Sequence, residues 1–329
     1  MKYEIIATLG PSSSSARCWR ELLAAGATAF RLNTSHLSLG ELSIWLDKID
    51  GFFSTLETRH PLILDLQGSK WRLGQFPGRE LVRGENVELV LEAKTDRDGV
   101  LPVPHPDFFQ AASLSNGEIT LNDARVRLMI ERVTSDRLEA RVVLGGPIAS
   151  HKGITLPSSE YRKETLSEKD QAILKQTQEV PFIRYAISYV KDAAEMLRYR
   201  AVCGPAAYLV AKLERKSALD EAFQIAQAAD ELWLCRGDLG AELGQAAMAE
   251  AVYRFSARVG EFTIPVHLAG QVLEHMVEHP NPTRSEVGYL YEALQKGYAG
   301  LILSDETAVG KYPVESCLAA ALFLKGFSR

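Results

Sequence analysis

Short apolar runs recur along the chain, and each ends in a cluster of polar residues. Residues 3–8 form the first run, followed by Leu9-Gly10-Pro11 and a string of serines. Ser14 or Ser15 is placed to cap a helix that reaches Ala25, and Gly26 ends it. Residues 29–32 form the second run, with Arg31-Leu32-Asn33-Thr34-Ser35-His36 at its end, and helical spacing covers 39–56. Residues 62–66 form the third, ending in Asp65, Gln67 and Gly68. Repeated strand–helix units with polar residues at each strand's C-terminal end are the grammar of a barrel or a doubly wound sheet. From residue 73 to 156 the rhythm changes. VELVLEA, EITLND, VRLMIERV and LEARVVLGG alternate with period two, and Gly, Pro, Asn and Asp separate them. That pattern predicts β-hairpins, and hence a small all-β domain inserted after strand three, placed to act as a lid.

The strand–helix pattern resumes near Leu166. Ser167 caps a helix to about residue 179, strand four covers 182–188, and a helix covers 192–203. Strands five and six are 209–213 and 231–235, with helical spacing over 217–228 between them. A helix over 245–260, strand seven at 264–268, a helix-like stretch at 272–278 and a helix over 284–296 follow. Strand eight is 299–303, and a helix opened by Pro313 closes the chain to 325. The count predicts a (β/α)8 barrel over 1–72 and 157–329 with the insertion at 73–156. A doubly wound sheet is the alternative.

Chemistry concentrates between Leu209 and Gly244. Strand five delivers Lys212 and Glu214 at its C-terminal end, and Arg236-Gly237-Asp238 follows strand six as a turn. Parallel strands joined by one helix place these ends side by side, so a lysine and two carboxylates are expected to converge. Paired carboxylates suit a hard cation such as Mg²⁺. Gly237 and Gly240 allow backbone N–H groups to approach an anion. The plainer alternative is a buried Lys–Glu pair beside an ordinary turn. His275 and His279, four apart, would ligate zinc from one helix face only with a third ligand that the sequence does not supply, and are read as solvated.

With 329 residues the chain accommodates one large barrel and a smaller domain. Its 37 basic and 42 acidic residues leave a net charge of −5 with no basic block, which argues against a nucleic-acid partner. Cys18, Cys203, Cys235 and Cys317 are scattered, as suits reduced thiols. The sequence enters a strand directly, with no signal peptide and no membrane-spanning run, so a soluble cytoplasmic protein is expected.

AKLE followed by RGDLGAELG resembles the catalytic core of the pyruvate kinase family. IIATLGPSS, FRLNTSH, LILDLQGSKWRLG, SHKGITLP, LSEKD, ISYVKDA, HPNPTRSEV and LILSDETAVGKYPVES resemble further family runs, in family order. The resemblance implies Mg²⁺ or Mn²⁺ on Glu214 and Asp238, with Lys212 stabilising the phosphoryl group in flight. Arg31 and Arg72 would handle phosphate. Asn33, Ser35 and Asp65 would form much of a monovalent-cation site, His36 and Gly237 would belong to the ligand-binding surroundings, and Ser304 or Glu306 would support enolate protonation. Without the family, Asn33 and Ser35 read as local caps, and Arg31 and Arg72 as ion pairs. The family's further C-terminal domain is not expected, because the sequence stops at Arg329, just after the last barrel helix.

Several positions depart from the family pattern. Leu66 and Gln67 replace Thr and Lys, and Lys70 replaces a common Glu, as in members that work without K⁺. A K⁺-independent activity is therefore expected. Gly270 stands where the family has the second Thr of T-A-T-Q, and restoring that threonine is expected to raise kinase activity. Asp192 stands where a lysine faces nucleotide phosphates, and Asp305 adds a carboxylate. The resemblance implies phosphoenolpyruvate plus ADP giving pyruvate plus ATP. The departures leave two alternatives: a Mg²⁺-dependent 2-oxo-acid lyase or decarboxylase, and a non-catalytic phosphoenolpyruvate-binding protein. No membrane partner is expected, and a homo-oligomer is possible.

Overall fold

The computed structural model describes residues 3–114, 117–122, 124–157, 162–163 and 165–324. The barrel strands are β1 (Glu4–Thr8), β2 (Ala29–Asn33), β3 (Leu62–Leu66), β4 (Ile183–Ile187), β5 (Tyr208–Leu213), β6 (Glu231–Cys235), β7 (Val266–Ala269) and β8 (Gly300–Leu303). They pair in parallel and close on themselves in the order β1-β8-β7-β6-β5-β4-β3-β2. Both faces of each strand are covered, which is why the runs read as continuously apolar rather than alternating.

Inside the barrel, every second residue points to the axis. Ile6, Ala29, Ile63, Ala186, Val210, Trp233, Ala269 and Ile302 meet there as an apolar layer. Two residues further along the strands the inward positions are polar: Thr8, Arg31, Asp65, Ser188 and Lys212. Two residues earlier they are polar again: Glu4, Arg184, Tyr208, Glu231 and His267. The apolar layer thus separates charged clusters at the two ends of the barrel. Outside it, Trp19, Phe30, Phe52 and Phe53 pack strands against the first two helices, Ala16–Ala24 and Leu39–Phe53.

Chain contacts divide the molecule into two compact units. The first comprises Met1–Gly68, Leu166–Arg236 and Glu250–Arg329, and the second Ser69–Thr165 with Gly237–Ala249. The second holds a six-stranded sheet in the order Ile154–Thr155, Glu118–Leu121, Val126–Val133, Arg137–Leu144, Asn86–Val90, Val100–Pro102. A two-stranded sheet pairs Arg79–Leu81 with Gly146–Ile148. Its core gathers Trp71, Leu89, Phe108, Phe109 and Leu128. Arg137–Leu144 alternates exposed and buried positions along most of its length, as the period-two reading requires.

The structure corrects several elements. The insertion is not purely β: Pro106–Ser113 is a helix, opened by Pro106 and Asp107 and burying Phe108 and Phe109. The helical spacing over 217–228 resolves into two short helices, Lys216–Asp220 and Ala222–Ala226. Arg236–Leu243 is a helix rather than a turn, so Gly237 and Asp238 lie in its first turn. The closing helix is Pro313–Ala320, and Lys325 lies outside the described residues. Among the described residues, no helix is long and apolar enough to cross a membrane.

Candidate active site

The C-terminal ends of β2, β3, β4 and β5 build one buried charged array. Arg31 enters from β2, and its Nε and a terminal nitrogen donate to Asp65 Oδ2 at 2.8 and 2.6 Å. Its other terminal nitrogen donates to Thr8 Oγ1 at 2.8 Å. Lys212 Nζ donates to Asp65 Oδ1 at 3.1 Å and to Ser188 Oγ at 2.8 Å, and lies 3.0 Å from Glu214 Oε1. Ser188 Oγ in turn donates to Asp65 Oδ1 at 3.0 Å. Glu214 is 1% exposed, and its Oε2 accepts the Tyr189 N–H at 2.6 Å. Tyr189 adopts φ +65° to aim that N–H, a left-handed conformation uncommon for a bulky residue.

Charge dominates the titration here. Burial would raise the Asp65 carboxyl, but Lys212 and Arg31 outweigh it and hold Asp65 well below the usual carboxylate range. Burial would lower Lys212, but Asp65 and Glu214 outweigh it and hold the ammonium well above the usual lysine range. Asp65 and Lys212 are therefore held in their ionised forms, and removing either would leave an uncompensated buried charge.

The strand ends are shaped by close backbone contacts. Gly68 has φ +58°, and a Cβ there would collide with the Ser188 carbonyl. The Gln67 and Gly68 N–H groups donate to Asp170 at 3.1 Å each, and Ser167 caps that same helix, Glu168–Thr177. Asn33 Oδ1 accepts the Ser35 N–H at 3.2 Å, so Asn33 caps the short turn Thr34–His36, as the local reading anticipates. The buried Ser35 Oγ has no hydrogen-bond partner among the described residues and keeps its oxygen available to a ligand.

At β7 and β8, Glu306 is 1% exposed and accepts the Leu273 N–H at 3.0 Å and the Ser304 N–H at 2.6 Å. Burial pushes its carboxyl above the usual range, against the pull of those N–H groups. Glu306 therefore ties the two loops together, while Ser304 stands half-buried at the end of β8. Gly270 has φ +85°, and its carbonyl accepts from Arg236 Nε at 3.0 Å and a terminal Arg236 nitrogen at 2.6 Å. Asp192 caps the helix Ala193–Cys203, accepting the Glu195 N–H at 2.8 Å.

The second unit carries the other predicted residues. Lys70 Nζ lies 2.5 Å from Asp238 Oδ1, and both side chains are largely buried. The Arg72 N–H donates to His105 Nε2 at 3.1 Å, and one Arg72 terminal nitrogen donates to the His151 carbonyl at 2.8 Å. Arg72 Nε is buried without a partner among the described residues. Gly237 lies in the first turn of Arg236–Leu243, together with Asp238.

Lys212, Asp65, Arg31 and Glu214 thus meet in one array, which sequence reading anticipated for the lysine and the glutamate; Asp238, the second carboxylate expected with them, pairs with Lys70. Sequence reading missed Thr8, Ser188 and Tyr189. Thr8 and Ser188 were visible as the inward positions two residues beyond Ile6 and Ala186. Tyr189 carried no signal, because its contribution is a backbone N–H. His275 and His279 stack with ring centroids 4.0 Å apart.

Glu214 and Asp238 each carry carboxylate oxygens of the kind Mg²⁺ takes, and within its own unit each lies beside a lysine, Lys212 for Glu214 and Lys70 for Asp238.

A closed (β/α)8 barrel with a buried charged array at its C-terminal strand ends places the chain in the (β/α)8-barrel class of folds. Residues 1–317 match the family model for the pyruvate kinase barrel domain, and the chain belongs to that family. A pyruvate kinase of Methylorubrum extorquens is 33% identical over 319 residues, covering 95% of this chain and 66% of that protein. One of Agrobacterium vitis is 34% identical over 322 residues, with the same coverage of 95% and 66%. One of Thermococcus litoralis is 30% identical over 320 residues, covering 96% and 67%. The chain therefore spans 66% of the length of the first two relatives.

Proposed function

We propose that this chain transfers the phosphoryl group of phosphoenolpyruvate to ADP in the cytoplasm, giving pyruvate and ATP. The observation that carries the reading is the buried Arg31–Asp65–Lys212–Glu214 array. Phosphoryl transfer is mainly positioning and neutralisation of the equatorial oxygens, and the array supplies fixed cationic donors for that purpose. A β-phosphate oxygen of ADP attacks phosphorus, the bond from phosphorus to the enol oxygen breaks, and the enolate carbon then takes a proton. Asp65 holds Arg31 and Lys212 in place. Lys212 donates to the phosphoryl oxygens, and Arg72, with Nε uncommitted, is assigned to phosphate. Ser304 lies on the proton path, and Glu306 positions it through its N–H.

Sequence correspondence assigns the divalent cation to Glu214 and Asp238. When bound, it supplies positive charge to the transferring phosphoryl group. Asn33, Ser35 and Asp65 remain assigned to the monovalent-cation position. Lys70, which pairs with Asp238, is assigned to supply the positive charge that K⁺ would otherwise bring, so turnover without K⁺ is expected.

The test is pyruvate formation from phosphoenolpyruvate and ADP with Mg²⁺, with and without K⁺. ADP-dependent turnover in both conditions is expected, and a strict K⁺ requirement would overturn the assignment of Lys70. The absence of ADP-dependent turnover would overturn the kinase reading.

Gly270 favours a second reading. It offers no hydroxyl where the family places the second threonine beside the enolate. The same array would then stabilise an enolate formed from a 2-oxo acid, in a lyase or decarboxylase. Oxaloacetate turnover without nucleotide distinguishes the two.

A further inference from the structure

The N-terminal end of the barrel holds a second polar cluster, below the apolar layer. Glu4, Arg184, Tyr208, Glu231 and His267 occupy inward positions at the N-terminal ends of β1, β4, β5, β6 and β7. Glu231 and His267 are each 1% exposed. Glu231 accepts from four side chains: Trp233 Nε1 at 2.5 Å, Tyr208 Oη at 3.0 Å, Arg184 at 3.4 Å, and His267 Nδ1. So many donors fix Glu231 as an ionised acceptor, and its bond with the imidazole therefore puts the proton on Nδ1.

In the neutral ring, Nε2 is the nitrogen that carries the lone pair. His267 Nε2 is buried and has no hydrogen-bond partner among the described residues. It faces Glu4, whose Oε2 lies 4.0 Å away. Gly300 makes the room for it, since a Cβ there would come within 2.7 Å of Nε2. An imidazole oriented by a carboxylate on one nitrogen, with the other nitrogen open toward a second carboxylate, is the arrangement of a histidine metal ligand. One ligand atom each from Glu4, Glu231 and His267 lies within 4.8 Å of the others.

We propose that His267 Nε2 and the Glu4 carboxylate, with Glu231 orienting the imidazole, bind a divalent first-row transition ion. A mixed imidazole and carboxylate donor set selects zinc, cobalt or nickel over magnesium. Two carboxylates against one guanidinium leave the cluster net negative and attractive to a cation. Glu4 supplies the adjustment, because its side chain is 24% exposed and moves toward Nε2 more freely than the buried pair. Arg184, bonded to Glu4 at 3.0 and 3.3 Å, is its counter-ion in the metal-free protein. Water reaching past Glu4 completes the coordination. The ion would tie β1 to β7, at the barrel end where side chains serve stability rather than catalysis.

The test uses the full chain carrying His275→Ala, which removes the stacked surface histidine pair, in excess Mg²⁺, which fills hard-oxygen sites. Co²⁺ binding is measured by equilibrium dialysis and by the visible absorption of nitrogen-ligated cobalt. The reference chain is expected to bind one equivalent more than Glu4→Gln or His267→Gln, and Glu231→Gln to weaken that equivalent by about 10–100-fold. Co²⁺ should raise the thermal midpoint of the reference chain but not that of Glu4→Gln. Should His267→Gln fail to fold, Glu4→Gln carries the test alone, being at a half-exposed position. Equal cobalt stoichiometry in all chains, or none in the reference, would overturn the site. The second outcome would mean that a proton, not a metal, occupies Nε2. Neither outcome touches the reading of the opposite barrel end.

Discussion

At Gly270, backbone conformation rather than a missing hydroxyl is the first constraint. The residue sits at φ +85°, with its carbonyl held by two Arg236 nitrogens. A β-branched residue there is strained. The expectation that Gly270→Thr raises activity is therefore revised. We predict that the substitution costs about 1–3 kcal/mol, read as a lower urea midpoint, and leaves turnover no higher than before. A rise in turnover would mean that the loop re-forms with a different backbone. Lys212 makes the opposite case, since its surroundings are built around its charge. Lys212→Met leaves Asp65 and Glu214 facing one another without their shared ammonium. Turnover should fall by about 10³-fold and stability by about 3–5 kcal/mol, measured by steady-state kinetics and urea unfolding. A variant with unchanged turnover would remove Lys212 from the reaction.

Elements were legible where their pattern was long. All eight barrel strands were readable as apolar runs ending in polar residues, and the period-two hairpins marked the insertion. The helix Pro106–Ser113 was missed because it is short and sits among strands, although Pro106 and Asp107 are its opening signals. The turn expected at Arg236-Gly237-Asp238 proved helical, because two glycines in a short window outweigh neither Leu239 nor Ala241, which the helix buries. The site was half legible. Side chains at strand ends announce themselves, whereas the Tyr189 N–H and the Gly68 contact are backbone features with no composition signal. Asp192 shows how an element's need can pass for a functional change. Its carboxylate caps Ala193–Cys203, so Asp192→Ala should cost about 1 kcal/mol of stability. Asp192→Asn keeps the cap and removes the charge. If the charge repels nucleotide, the KM for ADP falls in Asp192→Asn; an unchanged KM would leave only the capping role.

On the scale of whole units, the protonation of one histidine sets a pH dependence. Burial pulls the His105 imidazole down to about 4, and its Nε2 accepts the Arg72 N–H, which requires that nitrogen to be unprotonated. Below pH 6.5 the unfolded chain takes up a proton that the folded chain refuses. The stability that His105 contributes is therefore complete above about pH 6.5, falls as pH drops toward 4, and levels off below. Urea midpoints at pH 7 and pH 5 should differ in the wild-type chain, and the difference should shrink in His105→Gln. An equal difference in the variant would assign the titration to another group.

The second unit is assembled from two stretches of chain, Ser69–Thr165 and Gly237–Ala249. Lys70 of one meets Asp238 of the other, and Thr120 Oγ1 donates to the Ala241 carbonyl at 3.4 Å. The insertion is therefore not a cassette. A graft of 69–165 into another barrel would travel without its counter-charge and without the backbone that Thr120 reaches. Swapping this region between relatives calls for two coordinated exchanges, and the stretch after β6 has to be inherited together with the insertion it completes.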